Sequence, residues 1–183
     1  EEIKNTALEI YLEGVGFRGI GRILKVHHTT VLNWIKTIGQ SVEMPVSGEP
    51  VMTAELDEIH TYVKKNYRWG WIAVDRLGKR YMAFVFGDRS TETGRKLWDK
   101  IKEIQIDKVA SDYWSAYEDF VPPEKHLQTK RETYTAEGYN ARIRHYLARF
   151  HRRTKCYSKS EEMINLSVKL LCRKLNKQIS IRN

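Results

Sequence analysis

Long apolar runs are missing from this chain of 183 residues, as are paired cysteines, a leader-like N-terminus and any excess of acidic charge. No run approaches the roughly 20 apolar residues a membrane helix requires, and no signal-peptide pattern opens the sequence. The expected location is therefore cytoplasmic, in association with the nucleoid. The two cysteines, Cys156 and Cys172, are far apart and lack CxxC spacing. They point to neither a disulfide framework nor a zinc site, only to free thiols in a reducing compartment. Proline is also sparse: the four fall at 45, 50, 122 and 123, leaving the stretches between free for regular structure. A hydrophobic content of 41% excludes a disordered chain, and the length suits one ordinary domain with a small module beside it.

What is present in excess is positive charge. The net charge is +9, with 32 Lys and Arg against 23 Asp and Glu. Its distribution is uneven: residues 122–183 hold 15 basic against 5 acidic residues, while the first two thirds are close to balanced. A basic footprint of this kind suits a polyanion, because each phosphate neutralised releases condensed counterions.

Three short helices are expected first. Residues 3–13 place Ile3, Ala7, Ile10 and Tyr11 at helical spacing and stop at Gly14; residues 17–25 place Ile20, Ile23 and Leu24 on one side. A third helix follows with Val31, Leu32, Trp34, Ile35 and Ile38, capped by His28 or Thr29. Helix, short turn, helix is the arrangement of a helix-turn-helix, whose last helix enters the major groove. Thr29, Thr30, Asn33 and Lys36 would then face DNA while Ile35 and Ile38 pack inward. Residues 17–38 contain Arg18, Arg22, Lys25 and Lys36 and no acid, which favours DNA over a plain interaction module. Residues 1–40 are thus read as a DNA-binding module and 41–52 as a linker, residues 39–52 holding two prolines and two glycines.

From residue 53 the pattern changes to strands. Residues 53–63, 68–75 and 80–88 read as an antiparallel meander. A helix over 90–105 follows, opened by Ser/Thr and carrying Leu97, Trp98, Ile101 and Ile104. Then come a strand at 106–110, a helical turn at 113–120, a short strand at 126–129, a long helix from about 134 and a last one from Ser160 to about 176. Strands and helices in this order predict an α/β fold of the RNase H type over 53–183, a mixed five-stranded sheet with flanking helices and basic C-terminal helices. Topology alone does not assign a function.

The acids narrow it. Cutting a phosphodiester requires an activated attacking oxygen and a stabilised leaving oxygen, which a pair of divalent cations provides. Such cations want oxygen ligands, so a few carboxylates on separate elements suffice. Asp57 sits inside an otherwise apolar strand, Asp112 ends the strand 106–110, and Glu137 lies in the first turn of the long helix. Each also has an ordinary structural reading, as a strand-edge residue, a helix cap and a residue favoured by the helix dipole. Asp75 competes with Asp57 but precedes a turn, Arg-Leu-Gly-Lys. Glu55 and Glu58 are read as solvated.

The runs LDEIHTYV, WGWIAVDRLGKRYMAFVFGDRS, SDYWSAY and HLQTKRETYTAEGYNARIRHYLARFHRRTKCYSKS together resemble the transposases of the insertion sequence 1 family over residues 53–170. The 24 residues between Asp112 and Glu137 match that family's interval. The resemblance implies a DDE-type enzyme in which Asp57, Asp112 and Glu137 bind two Mg²⁺ or Mn²⁺ ions, with Asn140 and His126 assisting. It also implies that Arg142, Arg144, Arg149, Arg152, Arg153 and Lys155 grip phosphates, as Arg does well through its fork. The implied partners are double-stranded DNA, both terminal repeats and target, and further copies of the chain in a homo-oligomer on paired ends. His60 stands where the family usually has Trp. The cysteine-rich zinc segment that usually precedes the family's helix-turn-helix is not found here, which implies its loss or a longer protein. The alternative reading is a catalytically inactive transposase kept as a DNA-binding regulator.

Overall fold

The computed structural model describes residues 1–43 and 49–177; part of the expected linker, residues 44–48, lies outside the described residues. In chain order the elements are α1 (Glu2–Tyr11), α2 (Phe17–Leu24), α3 (His28–Ser41), β1 (Val51–Val63), β2 (Asn66–Asp75), β3 (Arg80–Gly87), α4 (Thr91–Ile101), β4 (Ile106–Ser111), β5 (His126–Gln128), α5 (Tyr134–Tyr146) and α6 (Glu161–Leu175). A 3₁₀ turn at Ser115–Asp119 joins β4 to β5. The chain forms two compact units, one of Pro45–Ala141 and one of Glu1–Met44 with Arg142–Asn183. No helix among the described residues is long and apolar enough to cross a membrane.

In the first of these, the sheet order is β3-β2-β1-β4-β5. The meander β1–β2–β3 is antiparallel, and β4 and β5 add to the free edge of β1 in parallel. The fold is α/β of the RNase H type, with the predicted mixed sheet of five strands. Alternation along β1 decides which residues go to which face. Leu56, Trp71, Ala73, Ala83 and Val109 join Leu97 and Ile101 of α4 and Tyr117 in one buried cluster. The ring of Trp71 stands edge-on to Tyr117 at 5.5 Å. Residues of the opposite parity, Glu55 and Asp57, meet α5 instead. There Tyr139 packs against Tyr81, whose hydroxyl donates to the Tyr139 carbonyl at 3.0 Å. Ser90 caps α4, accepting from the Thr93 amide, and so aims Leu97 and Ile101 at the sheet.

Asp75 has the turn role suggested for it. Its carboxylate accepts from the Leu77 and Gly78 amides and from Arg80 Nε. A Cβ at Gly78 would press on the Asp75 carboxylate and displace the group that closes the turn.

The other unit is helical. Ala7, Leu8 and Tyr11 of α1, Ile20 of α2 and Val31 and Ile35 of α3 are buried with Met163, Leu166, Leu170 and Leu171 of α6. Two details differ from the sequence reading. The cap of α3 is His27, whose Nδ1 accepts from the Thr29 amide, one residue before the expected pair. Ile23 is exposed, because the inward side of α2 is occupied by Ile20 and Gly21. At Gly21 the backbone of the following turn passes so near that a Cβ would lie 2.7 Å from the Val26 carbonyl oxygen.

The contacts of the chain from Arg142 on, including α6, fall with α1–α3. The physical reason is that α6 is buried on most of its circumference, from Met163 to Cys172, and Tyr11 and Ser167 exchange a buried hydroxyl contact of 2.6 Å.

Truncating Leu97 to Ala should destabilise the chain by about 2–5 kcal/mol through lost burial and a cavity between α4 and the sheet. A denaturant midpoint unchanged from the wild type would count against the placement of α4.

Candidate active site

Asp57 lies on β1, the middle strand, opposite Ile72 of β2. On the other side, β4 pairs with β1 only as far as Glu55↔Ala110. Asp57 and Asp112 each lie two residues beyond that last pair, so they occupy equivalent places where the two parallel strands part. Asp112 is held by its own turn, Oδ1 accepting from the Trp114 amide at 2.9 Å. Glu137 is in the first turn of α5 and exposed. One turn on, Asn140 donates from Nδ2 to Asp57 Oδ2 at 2.8 Å. The structure therefore brings Asp57, Asp112, Glu137 and Asn140 to one end of the sheet.

Electrostatics bear the mark of this gathering. Burial pushes the Asp57 carboxyl up from its ordinary 3.8 to about 6, opposed by hydrogen bonds from the Glu58 amide and Asn140, and the charges of Asp112 and Glu137 raise it further. Both acids thus act on Asp57. Among the described residues, however, no three His, Cys, Asp or Glu side chains are drawn together tightly enough to hold a metal ion. The donor set is nonetheless one that suits a hard cation: three carboxylates and, beside Asp57, a buried amide oxygen, Asn140 Oδ1, with no hydrogen-bond partner.

Two acids read as solvated are buried. Glu55 is wholly inside. Its Oε1 accepts from Arg76 Nε at 2.6 Å and its Oε2 from the Ala136 amide at 2.8 Å, in the first turn of α5. Arg76 continues to Glu132, through the backbone carbonyl at 2.6 Å and the carboxylate at 2.7 Å. An acid at a helix N-terminus satisfies an orphan amide and opposes the helix dipole favourably. Glu55 is thus a positioning residue: it ties the turn that carries Glu137 to the strand that carries Asp57.

Glu58 faces the other way, toward the α4 cluster, with its side chain only 3% exposed. Arg89 pairs with it at 3.3 Å. The Arg89 guanidinium also lies 4.6 Å from the ring centre of Trp69 and 4.1 Å from that of Trp114. Because Trp114 supplies the amide that holds Asp112, this stack braces the Asp112 turn. Burial raises the Glu58 carboxyl from 4.5 to about 7 against the pull of Arg89, and burial likewise lifts the Tyr117 hydroxyl. Sequence reasoning missed Glu55, Glu58, Arg76 and Arg89. One signal was available: in a central strand neither face is solvated, so acids of both parities must be partnered or functional.

The remaining expected residues fall into three groups. His126 lies on the edge strand β5, its Nε2 2.7 Å from Ser111 Oγ, so it touches the residue before Asp112 and not the carboxylates. Thr29 and Asn33 are exposed on α3 and Thr30 is half-buried, while Lys36 is paired with Glu162 at 2.9 Å. Of the arginines, Arg142, Arg152 and Arg153 are exposed, as is Lys155, and Arg144 is half-buried. Arg149 is the correction. Expected to grip phosphate, it is only 7% exposed. Its guanidinium donates to the Tyr11 hydroxyl at 3.0 Å and to Ser158 Oγ, over the rings of Tyr11 and Phe17. It is an internal brace whose donors are consumed by its own unit.

With this geometry in hand, comparison with known proteins is informative. The profile of the family described as IS1 transposase matches residues 50–179. The chain belongs to the IS1 transposase family. Relatives include the insertion element IS1 4 protein InsB of Escherichia coli (strain K12), 36% identical over 115 residues that cover 62% of this chain and 69% of that protein. The insertion element IS1 protein InsB of Shigella flexneri is 33% identical over 115 residues, 62% of this chain and 88% of that one. The insertion element IS1 9 protein InsB of Escherichia coli (strain K12) is 30% identical over 139 residues, 75% and 83% of the two. Among solved structures, a chain of the cryoEM structure of simian T-cell lymphotropic virus intasome in complex with PP2A regulatory subunit B56 gamma is similar with a TM-score of 0.47 at 14% identity, over 85% of this chain and 63% of that chain. The span matched to the IS1 transposase family contains every acid described above and begins after α3.

The raised carboxyls have a measurable consequence. An acid with a higher pKa folded than unfolded holds its proton longer in the folded state, so stability falls as pH rises through the window and stays lower above it. For Asp57 that window runs from 3.8 to about 6. In metal-free buffer, Asp57→Asn should therefore melt above the wild type at about pH 8, and the advantage should vanish toward about pH 4. A wild type that is the more stable protein at the higher pH would sink the assignment.

Proposed function

We propose that this chain is a DNA transposase that binds the ends of its element, cuts a strand there and joins the freed 3′-hydroxyl to target DNA. The observation that carries the reading is that Asp57 and Asp112 each stand two residues beyond the last β1–β4 pair while Asn140, one turn after Glu137, donates to Asp57, within a family of transposases.

Asp57, Asp112 and Glu137 are the residues that would hold two Mg²⁺ or Mn²⁺ ions. Such ions, when bound, supply activation of the attacking oxygen and stabilisation of the charge on the leaving oxygen. The chain's own residues prepare the place. Asn140 orients Asp57 through its amide; the Trp114 amide and the Arg89 stack hold Asp112; Glu55 holds the turn of α5 from which Glu137 projects. The charges of Asp112 and Glu137 oppose ionisation of Asp57, and a divalent cation held among the three would offset that repulsion. His126 acts at one remove, through Ser111 beside Asp112.

The DNA-binding part of the reading rests on charge and helices. Residues 1–40 act as the helix-turn-helix reader of double-stranded terminal repeats, with Thr29, Thr30 and Asn33 toward base edges. Lys36 contributes after releasing Glu162. Arg142, Arg144, Arg152, Arg153 and Lys155 contact phosphates, and their contribution falls with salt. Residues 53–183 are the catalytic domain with its basic C-terminal helices, a reading the family match over 50–179 supports. Pairing two ends requires at least two copies of the chain, working in the cytoplasm on nucleoid DNA.

The test is strand cleavage and joining on duplexes carrying the terminal repeat, with Mg²⁺ or Mn²⁺. Asp57→Asn, Asp112→Asn and Glu137→Gln should each lower the rate by roughly a thousandfold, the scale set by losing several kcal/mol of charge stabilisation, while duplex binding persists. Cleavage at the wild-type rate by the Asp57 variant would overturn the site; duplex binding with no cleavage by any form would leave a regulator in place of an enzyme.

A further inference from the structure

Beyond the carboxylates, the β1–β2 hairpin runs out of the sheet. β4 leaves β1 at Glu55, and β3 leaves β2 at Trp69. From His60 to Arg68 the two strands therefore pair only with each other, as Tyr62↔Tyr67 and Val63↔Asn66. An isolated two-stranded ribbon is marginal in water, and cross-strand aromatic pairs are what sustain this one.

The face on which those rings lie is set by register. Glu58 stands opposite Trp71, His60 opposite Trp69, and Tyr62 opposite Tyr67, so the ladder continues the face that forms the α4 core. Past the core it is uncovered. His60 stacks on Tyr67 at 5.1 Å and meets Trp69 edge-on at 5.5 Å, and Tyr62 packs edge-on to Tyr67 at 4.7 Å. Tyr67 remains 47% exposed, and His60 is exposed. Support for the ribbon alone does not require rings left open to solvent.

Charge says what such rings would meet. From Ile59 to Val74 there is no acidic residue, but Lys64, Lys65 and Arg68 are present. The two-residue tip is Lys64-Lys65, both exposed. Lys64 adopts φ +57°, a conformation turns usually give to Gly or Asn, and neither lysine is in an ion pair among the described residues. At its inner end the ladder meets the site: Arg89 lies on Trp69 and on Trp114, whose amide holds Asp112. Aromatic faces interleaved with cations, on the strand that carries Asp57 though on its other face, are the features by which unpaired nucleic acid is held, since every base has a face to stack and every phosphate a charge to meet.

We propose that the β1–β2 hairpin is a stacking platform for unpaired DNA bases, with His60 and Tyr67 taking base faces and Lys64 and Lys65 the flanking phosphates. This rests on the reading of the chain as a DNA-cutting enzyme and adds a single-strand requirement to it. A polyanion held by charge alone would not use the rings. A protein partner would not distinguish one base conformation from another.

The test uses the full chain and a single-stranded oligonucleotide carrying 2-aminopurine, whose fluorescence falls when it stacks on an aromatic ring. Wild-type protein should bind and quench it. Tyr67→Ala should weaken single-strand binding by roughly five- to a hundredfold and abolish the quenching, whereas Tyr67→Phe, which keeps the ring, should retain both. Lys64→Ser with Lys65→Ser should weaken binding and flatten its salt dependence. Duplex binding of the terminal repeat should be unchanged in all of them, and a thermal melt shows whether each variant is folded. Equal single-strand affinity and quenching in wild type and Tyr67→Ala would overturn the platform, as would parallel losses on single strand and duplex, or a Tyr67→Phe variant as weak as Tyr67→Ala. Cleavage that depends on Asp57 is read separately: its failure removes the enzyme reading, while a Tyr67-independent single strand removes only the platform.

Discussion

A single buried carboxylate organises the α/β unit of this protein. Glu55, without solvent contact on the middle strand, receives Arg76 on one oxygen and the first-turn amide of α5 on the other. A charge so placed is costly unless both oxygens are satisfied. Here they are satisfied by the two elements that must be brought into register. The helix start, the β2–β3 turn region through Arg76 and the central strand become one assembly. Glu137 and Asn140 then follow at the helical interval, and Asp57 at the strand interval.

Around that anchor the structure accumulates like charge on adjacent residues and separates it by parity. Asp57 faces α5 and Glu58 faces the α4 core, so one strand presents acids to both layers. Each is pushed up by burial, to about 6 and about 7. The fold tolerates this because every acid has a specific brace: Asn140 for Asp57, Arg89 for Glu58, the Trp114 amide for Asp112. Arg89 couples two of these, contacting Glu58 while stacking on the ring that precedes the Asp112 turn's closure. The same economy of donors explains why Arg149 is unavailable to DNA in the other unit, where Tyr11, Phe17 and Ser158 consume its guanidinium.

Most of the fold was legible in the chain. Alternating apolar residues separated by turn signals marked β1–β3, the Ser90 and Ser160 caps marked the starts of α4 and α6, and Asp75 announced its turn. The errors have a common cause. Ile23, Glu55 and Glu58 are read from local rules in which apolar side chains point inward and charged ones outward, and Arg149 from the family resemblance. Neighbours distant in sequence override such rules: Gly21 and Val26 turn α2, Tyr11 and Ser158 draw Arg149 inside, and the central position of β1 removes solvent from both of its faces. The packing partner of the C-terminal helix was not legible either, since the apolar circumference of α6 tells that it is buried and not against what.

The sequence by itself determined the types and order of the elements, the three acids and their interval, and the family to which the chain belongs, because these depend on short-range periodicity and on residue identity. Only the tertiary structure decided which acids face one another, which are braced and which arginines remain open. Those outcomes depend on strand order and on where β4 and β3 release the β1–β2 pair. Neither is written in any local stretch of residues, since a strand's partners are set by the whole sheet.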